Sequence, residues 1–385
     1  MTVLFWISIL IIFYTYIGYG ILLLILVKLF VRKKTIPEKG ELPTLTLIVA
    51  AYNEAQYIRK KIENSLEVAY PSDKIKYLFV TDGSTDETTT IIREYPQIKL
   101  MHEAARNGKI AAVHRAMQEV DTEIVVFTDA NTLLNKEAFL KIARHYTDPK
   151  TGAVSGEKRV EISESSDATA GEGFYWKYES KLKKWDSMLY SVVGAAGELF
   201  SIRTALYQPV PANSLLDDFM ISMRIAEKGY RIVYEPEAYA LEKSSANITE
   251  ELKRKIRIAT GGIQSVIWTA SMLNPFKYPL LSWQYLSHRV LRWTITPCLL
   301  ILVFVLNILM VWQQYPVFYT WLLAMQVLFY GLAIAGWVME TKQIRVKILF
   351  IPYYFCVMNY AMFAGIFRYF FTRQTGVWEK AVRKE

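Results

Sequence analysis

Hydrophobic and polar positions divide this chain into uncharged runs at its two ends and short alternating blocks in its middle. Residues 3–27 contain no charged side chain, and at ~1.5 Å per helical residue such a run crosses a hydrocarbon core of roughly 30 Å. Residues 294–311 and 317–338 are charge-free again, separated by Gln313-Gln314-Tyr315-Pro316, the expected tip of a helical hairpin. Residues 348–367 form one more uncharged run of sufficient length. The pattern therefore predicts an N-terminal transmembrane anchor over 1–31 and a C-terminal membrane region over 294–371. Its spans fall near 294–312, 317–338 and 348–367, and a basic tail follows over 372–385. In 275–293, Trp283, Tyr285 and Trp293 alternate with His288, Arg289 and Arg292. That mixture predicts an amphipathic helix in the headgroup layer, with an ordinary core helix as the competing reading.

The middle reads as repeated βα units. The β-rich runs 45–51 and 77–81 are each followed by a polar turn and a helical pattern, 56–68 and 86–95. A third unit pairs 98–102 with 109–120, and a fourth pairs 123–128 with 136–145. Such units predict an α/β domain with a parallel-type sheet and helices on its faces, here over 40–270. The second half is less regular, with helices expected over 172–187, 219–228 and 249–269.

Composition sharpens this picture. A chain that is 52% hydrophobic and 14% aromatic is neither disordered nor, with Cys298 and Cys356 alone, a disulfide or zinc scaffold. The net charge of +9 gathers next to the spans rather than along the sheet, which argues against nucleic acid and for membrane lipids. The first run lacks the basic start of a cleavable signal, and Lys28, Arg32, Lys33 and Lys34 follow it. The positive-inside rule then makes the α/β domain cytoplasmic at the cell membrane.

In an open α/β sheet, ligands bind beyond the carboxyl ends of the strands. Three expected strand ends carry polar groups: Ala51-Tyr52-Asn53-Glu54, Asp82-Gly83-Ser84-Thr85-Asp86 and Asp129-Ala130-Asn131. An aromatic and two acids on one rim suit a flat base, its N–H and a divalent cation. Taken singly, Asp82-Gly83-Ser84 is also a plain turn and Asp86 a helix N-cap.

Taken in order with Arg106-Asn107-Gly108-Lys109, Leu216-Asp217-Asp218 and Arg254-Lys255-Ile256-Arg257-Ile258, these motifs span nearly the whole chain. They resemble those of membrane-embedded glycosyltransferases of family 2, the inverting group that includes cellulose, chitin and hyaluronan synthases. The resemblance implies a GT-A (Rossmann-like) catalytic domain, a nucleotide-diphosphate sugar as donor and Mg or Mn as divalent cation. It assigns Tyr52, Glu54, Asp82, Lys109 and Asp129 to the nucleotide sugar, and Arg254 and Arg257 to its leaving diphosphate. The metal falls to Asp129 and Asn131, and the catalytic base to Asp218. Asp217, Gly197 and Glu198 lie on the acceptor side, the last two within the glycine-rich Gly194-Ala195-Ala196-Gly197-Glu198. Asn131 stands where the family places the second acid of its DxD motif, and Ile258 where the synthases place an acceptor-stacking Trp. His114 receives no role.

The implied acceptor is a glycan or a lipid-linked group. With so few spans, the path for a product is left open among a lipid acceptor, a second copy of the chain and an export partner. The alternative is a nucleotide-binding transporter or channel; against it, the spans carry no buried acid or base of the kind that marks an ion path. At the carboxyl end the 342–347 loop and the tail with Arg368, Arg373, Lys380, Arg383 and Lys384 are both basic, which a simple crossing cannot satisfy. Pro352 and Gly365 mark places for a break. The segment from Arg373 to Trp378 resembles the Trp-containing tail of hyaluronan and chitin synthases. The expectation is a last segment that does not cross as one straight helix and a cytoplasmic tail near the transfer site.

Overall fold

Leu45, Leu47 and Val49 alternate with Thr46 and Ile48 along one strand, and all five are buried. A strand apolar on both faces belongs in the middle of a covered parallel sheet. The computed structural model, which describes residues 1–31, 41–161, 169–243, 248–342, 344 and 346–372, places this strand there. The chain divides into two compact units. One comprises Met1–Leu29, Ile162–Leu182 and Ile248–Thr372, and the other Phe30–Glu161, Lys183–Asn247 and Arg373–Glu385.

The second unit is built on an eight-stranded sheet. Its strands are β1 (Leu45–Ala51), β2 (Ile75–Asp82), β3 (Ile98–Glu103), β4 (Ile124–Asp129), β5 (Thr132–Leu134), β6 (Thr151–Glu161), β7 (Leu199–Arg203) and β8 (Arg231–Lys243). They lie in the order β3-β2-β1-β4-β7-β6-β8-β5. The first four are parallel, as the βα pattern predicts. The strand β7 runs antiparallel between β4 and β6. The helix Ala55–Glu67 covers the sheet with Ile58 and Ile62, which join Leu47, Val49, Phe79 and Phe139 in one core.

Register decides where chemistry is possible. Ala51 pairs with Thr81 and Ala50 with Asp129, so β1, β2 and β4 finish level on one edge. The strand order reverses between β1 and β4, the position at which open α/β sheets bind ligands.

The strands β5 to β8 were not expected, for physical reasons. β6 carries Gly152, Gly156 and a run of charges, and its pairing with β8 shifts register between Gly156 and Glu157. β8 contains Pro236, and β5 has three residues.

Among the described residues four helices are long and apolar enough to cross a membrane: Thr2–Phe30, Pro279–Trp312, Val317–Thr341 and Ile348–Phe371. Phe5 packs with Val303, Leu306, Met310 and Tyr319, and Trp6 Nε1 donates to the Tyr319 hydroxyl at 3.2 Å. Four expectations change here.

The separate interfacial helix over 275–293 is replaced by a helix continuous with the following span, through a π-helical stretch at Leu286–Ile295. His288 and Arg292 are buried. With Arg289 they meet Glu179 rather than lipid headgroups, at 3.2 Å for His288 and 2.9 Å for each arginine. Burial alone would raise the Glu179 carboxyl, but Arg289, His288 and Arg292 hold it well below the ordinary range. The spans are therefore not free of buried ionisable groups: His288, Arg292 and Glu340 are buried within the longer bounds.

The expected break in the last segment is absent, since Lys347–Phe371 is one helix. Pro352 lies in its second turn, where a proline has no N–H to give the carbonyl four residues earlier, close to the end whose first N–H groups already lack helical partners. Gly365 serves close packing: a Cβ there would stand 2.5 Å from that of Ala259. The helix Ile248–Trp268, expected to close the α/β domain, groups with the membrane helices, and Lys255 Nζ donates to the Tyr354 hydroxyl at 3.0 Å. Arg32, Lys33, Lys34 and the tail from Arg373 lie outside the described residues.

Candidate active site

Each strand end supplies a turn whose side chains bond to the next turn. After β1, Asn53 has a left-handed backbone (φ 52°), and its side-chain oxygen accepts the Thr85 N–H at 2.8 Å. Ser84 accepts the Asn53 N–H at 3.1 Å. The Glu54 N–H donates to the Thr88 hydroxyl at 2.8 Å, and the backbone of Glu54 opens the helix Ala55–Glu67. Asp86 acts as a cap, accepting from the Ala55 N–H at 3.1 Å and the Thr88 N–H at 3.0 Å.

Asp82 is buried at the end of β2, and one of its oxygens accepts the Asn107 and Gly108 N–H groups at 3.0 and 2.6 Å. Its carboxylate thus shapes the loop that delivers Lys109. Gly108 holds φ 96° just before the helix Lys109–Met117. The Arg106 guanidinium lies over the Tyr52 ring, 3.8 Å from its centroid. Together these contacts bring Tyr52, Asp82 and Lys109 into one wall of the site.

The opposite wall comes from β4 and the helix Asp217–Glu227. Lys109 Nζ is 2.7 Å from an Asp129 oxygen and 3.8 Å from an Asp217 oxygen. Burial would lower this ammonium, but Asp129 and Asp217 hold it above its usual range. Asp217 and Asp218 occupy the first turn of their helix, where the dipole favours anions. Burial and the neighbouring Asp217 nevertheless push the Asp218 carboxyl up to about 7.

The glycine-rich segment fits against this helix. Gly194 has φ 80°, and any Cβ there would collide with the Phe219 ring. Ser222 accepts the Ala195 N–H at 2.9 Å. A Cβ on Gly197 would stand 2.9 Å from an Asp218 oxygen. The Glu198 carboxylate bonds Lys158 Nζ at 2.6 Å, and Lys158 also pairs with Glu242.

Asn131 lies in the turn between β4 and β5. Asp129 and Asn131 offer hard oxygen ligands, and among the described residues no group of three or more His, Cys, Asp or Glu is placed to hold a metal. This donor set fits a cation that completes its shell with phosphate oxygens and water, rather than a protein cage. Arg254 and Arg257 belong to the helix Ile248–Trp268 of the other unit, where Arg254 forks onto Glu251 at 2.8 and 3.0 Å. Their expected role rests on the resemblance.

Sequence reasoning missed Lys61 and Lys158, both buried beside the site. For Lys61 a signal existed: it falls on the same helical face as Ile58, Ile62 and Ser65. His114, given no role, accepts the Val210 N–H at 3.3 Å and meets the Tyr207 ring edge-on.

Comparison with known proteins bears on the fold that carries these residues. Residues 46–209 match the family described as glycosyl transferase family 2. A poly-beta-1,6-N-acetyl-D-glucosamine synthase of Staphylococcus aureus is 25% identical over 238 residues, 60% of this chain and 57% of that protein. The match thus spans little more than half of that relative. The Staphylococcus epidermidis protein of the same name is 23% identical over 282 residues, 71% of this chain and 68% of its own. A mannosyltransferase of Pyrobaculum calidifontis, solved with GDP-Man and Mn2+, superposes with a TM-score of 0.73 at 23% identity, covering 96% of this chain and 99% of that one. The fold is thus the GT-A-like, Rossmann-type sheet with apolar helices towards both ends of the chain.

Proposed function

We propose that this chain, whose residues 46–209 match the glycosyl transferase family 2 description, is a membrane glycosyltransferase. It transfers a sugar, with inversion at its anomeric carbon, from a nucleoside-diphosphate donor to a hydroxyl of a growing glycan or lipid-linked acceptor. The α/β unit works at the cytoplasmic face, which Lys28 in the last turn of the first span supports.

The observation that carries this reading is the arrangement of Lys109 against Asp129 and Asp217, with Asp218 next to them. Asp218 takes the proton of the acceptor hydroxyl, whose oxygen bonds the anomeric carbon. The bond from that carbon to the phosphate oxygen breaks, and the nucleoside diphosphate leaves with the electron pair. A base that titrates near 7 is matched to such work at neutral pH. Lys109 stands ready for the charge that develops on the leaving diphosphate. Asp129 and Asn131 offer ligands to a divalent cation shared with the donor, which when bound supplies Lewis-acid stabilisation of that group. Any side chain at Gly197 would press on the Asp218 carboxylate.

The Staphylococcus proteins are named for a polymer of N-acetylglucosamine, which favours a glycan acceptor. The deciding experiment incubates membranes containing the protein with labelled UDP-GlcNAc, UDP-glucose and GDP-mannose in turn. Label in a polymer or in a lipid extract supports the reading and names donor and acceptor. Nucleotide binding with no label transferred would favour the transporter or channel class.

A further inference from the structure

The helix Ala55–Glu67 turns a lysine towards the sheet. Lys61 is fully buried, on the face shared with Ile58 and Ile62. Its Nζ donates to the Thr132 carbonyl at 2.8 Å, to the Thr128 hydroxyl at 3.0 Å and, at longer range, to the Thr132 hydroxyl at 3.5 Å. All three acceptors are neutral. A buried ammonium carries a desolvation cost of several kcal/mol, so packing alone would place a leucine or methionine at this position.

Thr128 and Thr132 stand immediately before and after Asp129-Ala130-Asn131. Lys61 therefore grips both ends of the tripeptide that the reading above assigns to the diphosphate and its cation. The grip extends further. The Thr132 hydroxyl donates to the Asp129 carbonyl at 2.9 Å, and the Thr128 hydroxyl donates to the Glu198 carbonyl at 2.8 Å. Burial pushes the Lys61 ammonium down to about 7, while the Asp129 charge pulls the other way. Simple fastening of this region is already provided one turn further along the helix, where the Asn64 amide bonds both the N–H and the C=O of Leu134, at 2.7 and 2.9 Å.

We propose that Lys61 is a positioning residue for the diphosphate end of the donor, holding the Asp129–Asn131 turn in the shape that meets phosphate and cation. This rests on the glycosyltransferase reading, in which that turn binds the donor. Lys61 itself touches no substrate. Its effect passes through the backbone of Thr132 and the side chain of Thr128.

The test uses the full-length protein in detergent. Binding of UDP and of GDP, each with Mn2+, is measured by calorimetry, Mn2+ alone by electron paramagnetic resonance, and transfer by steady-state kinetics. Lys61→Met should weaken nucleotide and Mn2+ binding by about 10- to 100-fold, the usual effect of removing a group that orients metal ligands, and raise donor KM more than it lowers kcat. Asn64→Leu is the control for mere fastening: it should lower the melting temperature and leave donor KM near native. Should Lys61→Met fail to fold, Thr132→Val removes the hydroxyl tie to Asp129 with little change of volume and should shift donor KM in the same direction. Native-like binding by a folded Lys61→Met or, in its place, Thr132→Val, or an equal KM shift in Asn64→Leu, overturns the inference alone. A native protein that binds neither nucleotide overturns the reaction assignment as well.

Discussion

Gly197 and Asp218 approach so closely that a methyl group on the glycine would sit 2.9 Å from the aspartate's carboxylate oxygen. The proposed base is thus packed directly against the backbone at Gly197. Gly197→Ala should displace the carboxylate and lower kcat by about 10²-fold, the scale of an error near 1 Å at the reacting centre. Donor binding, measured calorimetrically, should stay near native.

Replacing the base isolates its chemistry. Asp218→Asn should lower transfer by about 10²-fold or more while leaving donor binding nearly intact. In the native protein kcat/KM should rise with pH through about 7, because the carboxyl must lose its proton before it can accept another. A pH profile flat between 5 and 9 would remove Asp218 from the proton transfer.

Stability should move in the opposite sense. The folded carboxyl titrates near 7, well above an unfolded aspartate at about 3.9. Its contribution to stability is therefore complete below the unfolded value and is lost as pH rises through the folded one. Asp218→Asn should melt at a higher temperature than the native protein, by a margin that grows from pH 5 to pH 8. Melting followed by intrinsic fluorescence checks this.

In the proposed reading Asn131 is a neutral ligand to the cation. Transfer should stop on chelation and return with Mn2+ or Mg2+, since Asp129 and the phosphates still supply charged ligands. Asn131→Asp should lower the Mn2+ concentration needed for half-maximal activity. Full activity in chelator would mean that the protein's own cations suffice.

The buried Glu179 holds three basic side chains in the membrane-helix unit. Glu179→Gln takes the counter-charge from Arg289 and Arg292 and should cost about 3 kcal/mol, seen as a lower melting temperature in detergent. Orientation is tested on the other unit: Cys introduced at exposed Ser72 should resist impermeant thiol reagents in intact cells and react after lysis.

How much of this could be read from the sequence followed the range of the interactions involved. The units from β1 to β4 were legible because each strand, turn and helix is a local pattern. β7 was not, because it is held by pairing with strands far away in the chain, and its five residues are too short a run to stand out. Tyr52, Asp82, Lys109, Asp129 and Asp218 could be named from their motifs, but the bonds from Asp82 to the Asn107 and Gly108 amides could not. The cluster at 288–292 was read as lipid-facing because its partner, Glu179, lies more than a hundred residues earlier, where nothing in the local pattern calls for it.

The bonds between successive strand-end turns also constrain protein engineering. Asn53 holds Thr85, Asp86 holds Ala55, and Asp82 holds Asn107 and Gly108, so segments 51–55, 82–88 and 106–109 interlock like the wards of a single key. A change of donor sought by grafting one segment from another enzyme would leave the retained segments facing mismatched partners. The transferable unit is all three segments together, with the helix Ala55–Glu67 that the first of them begins.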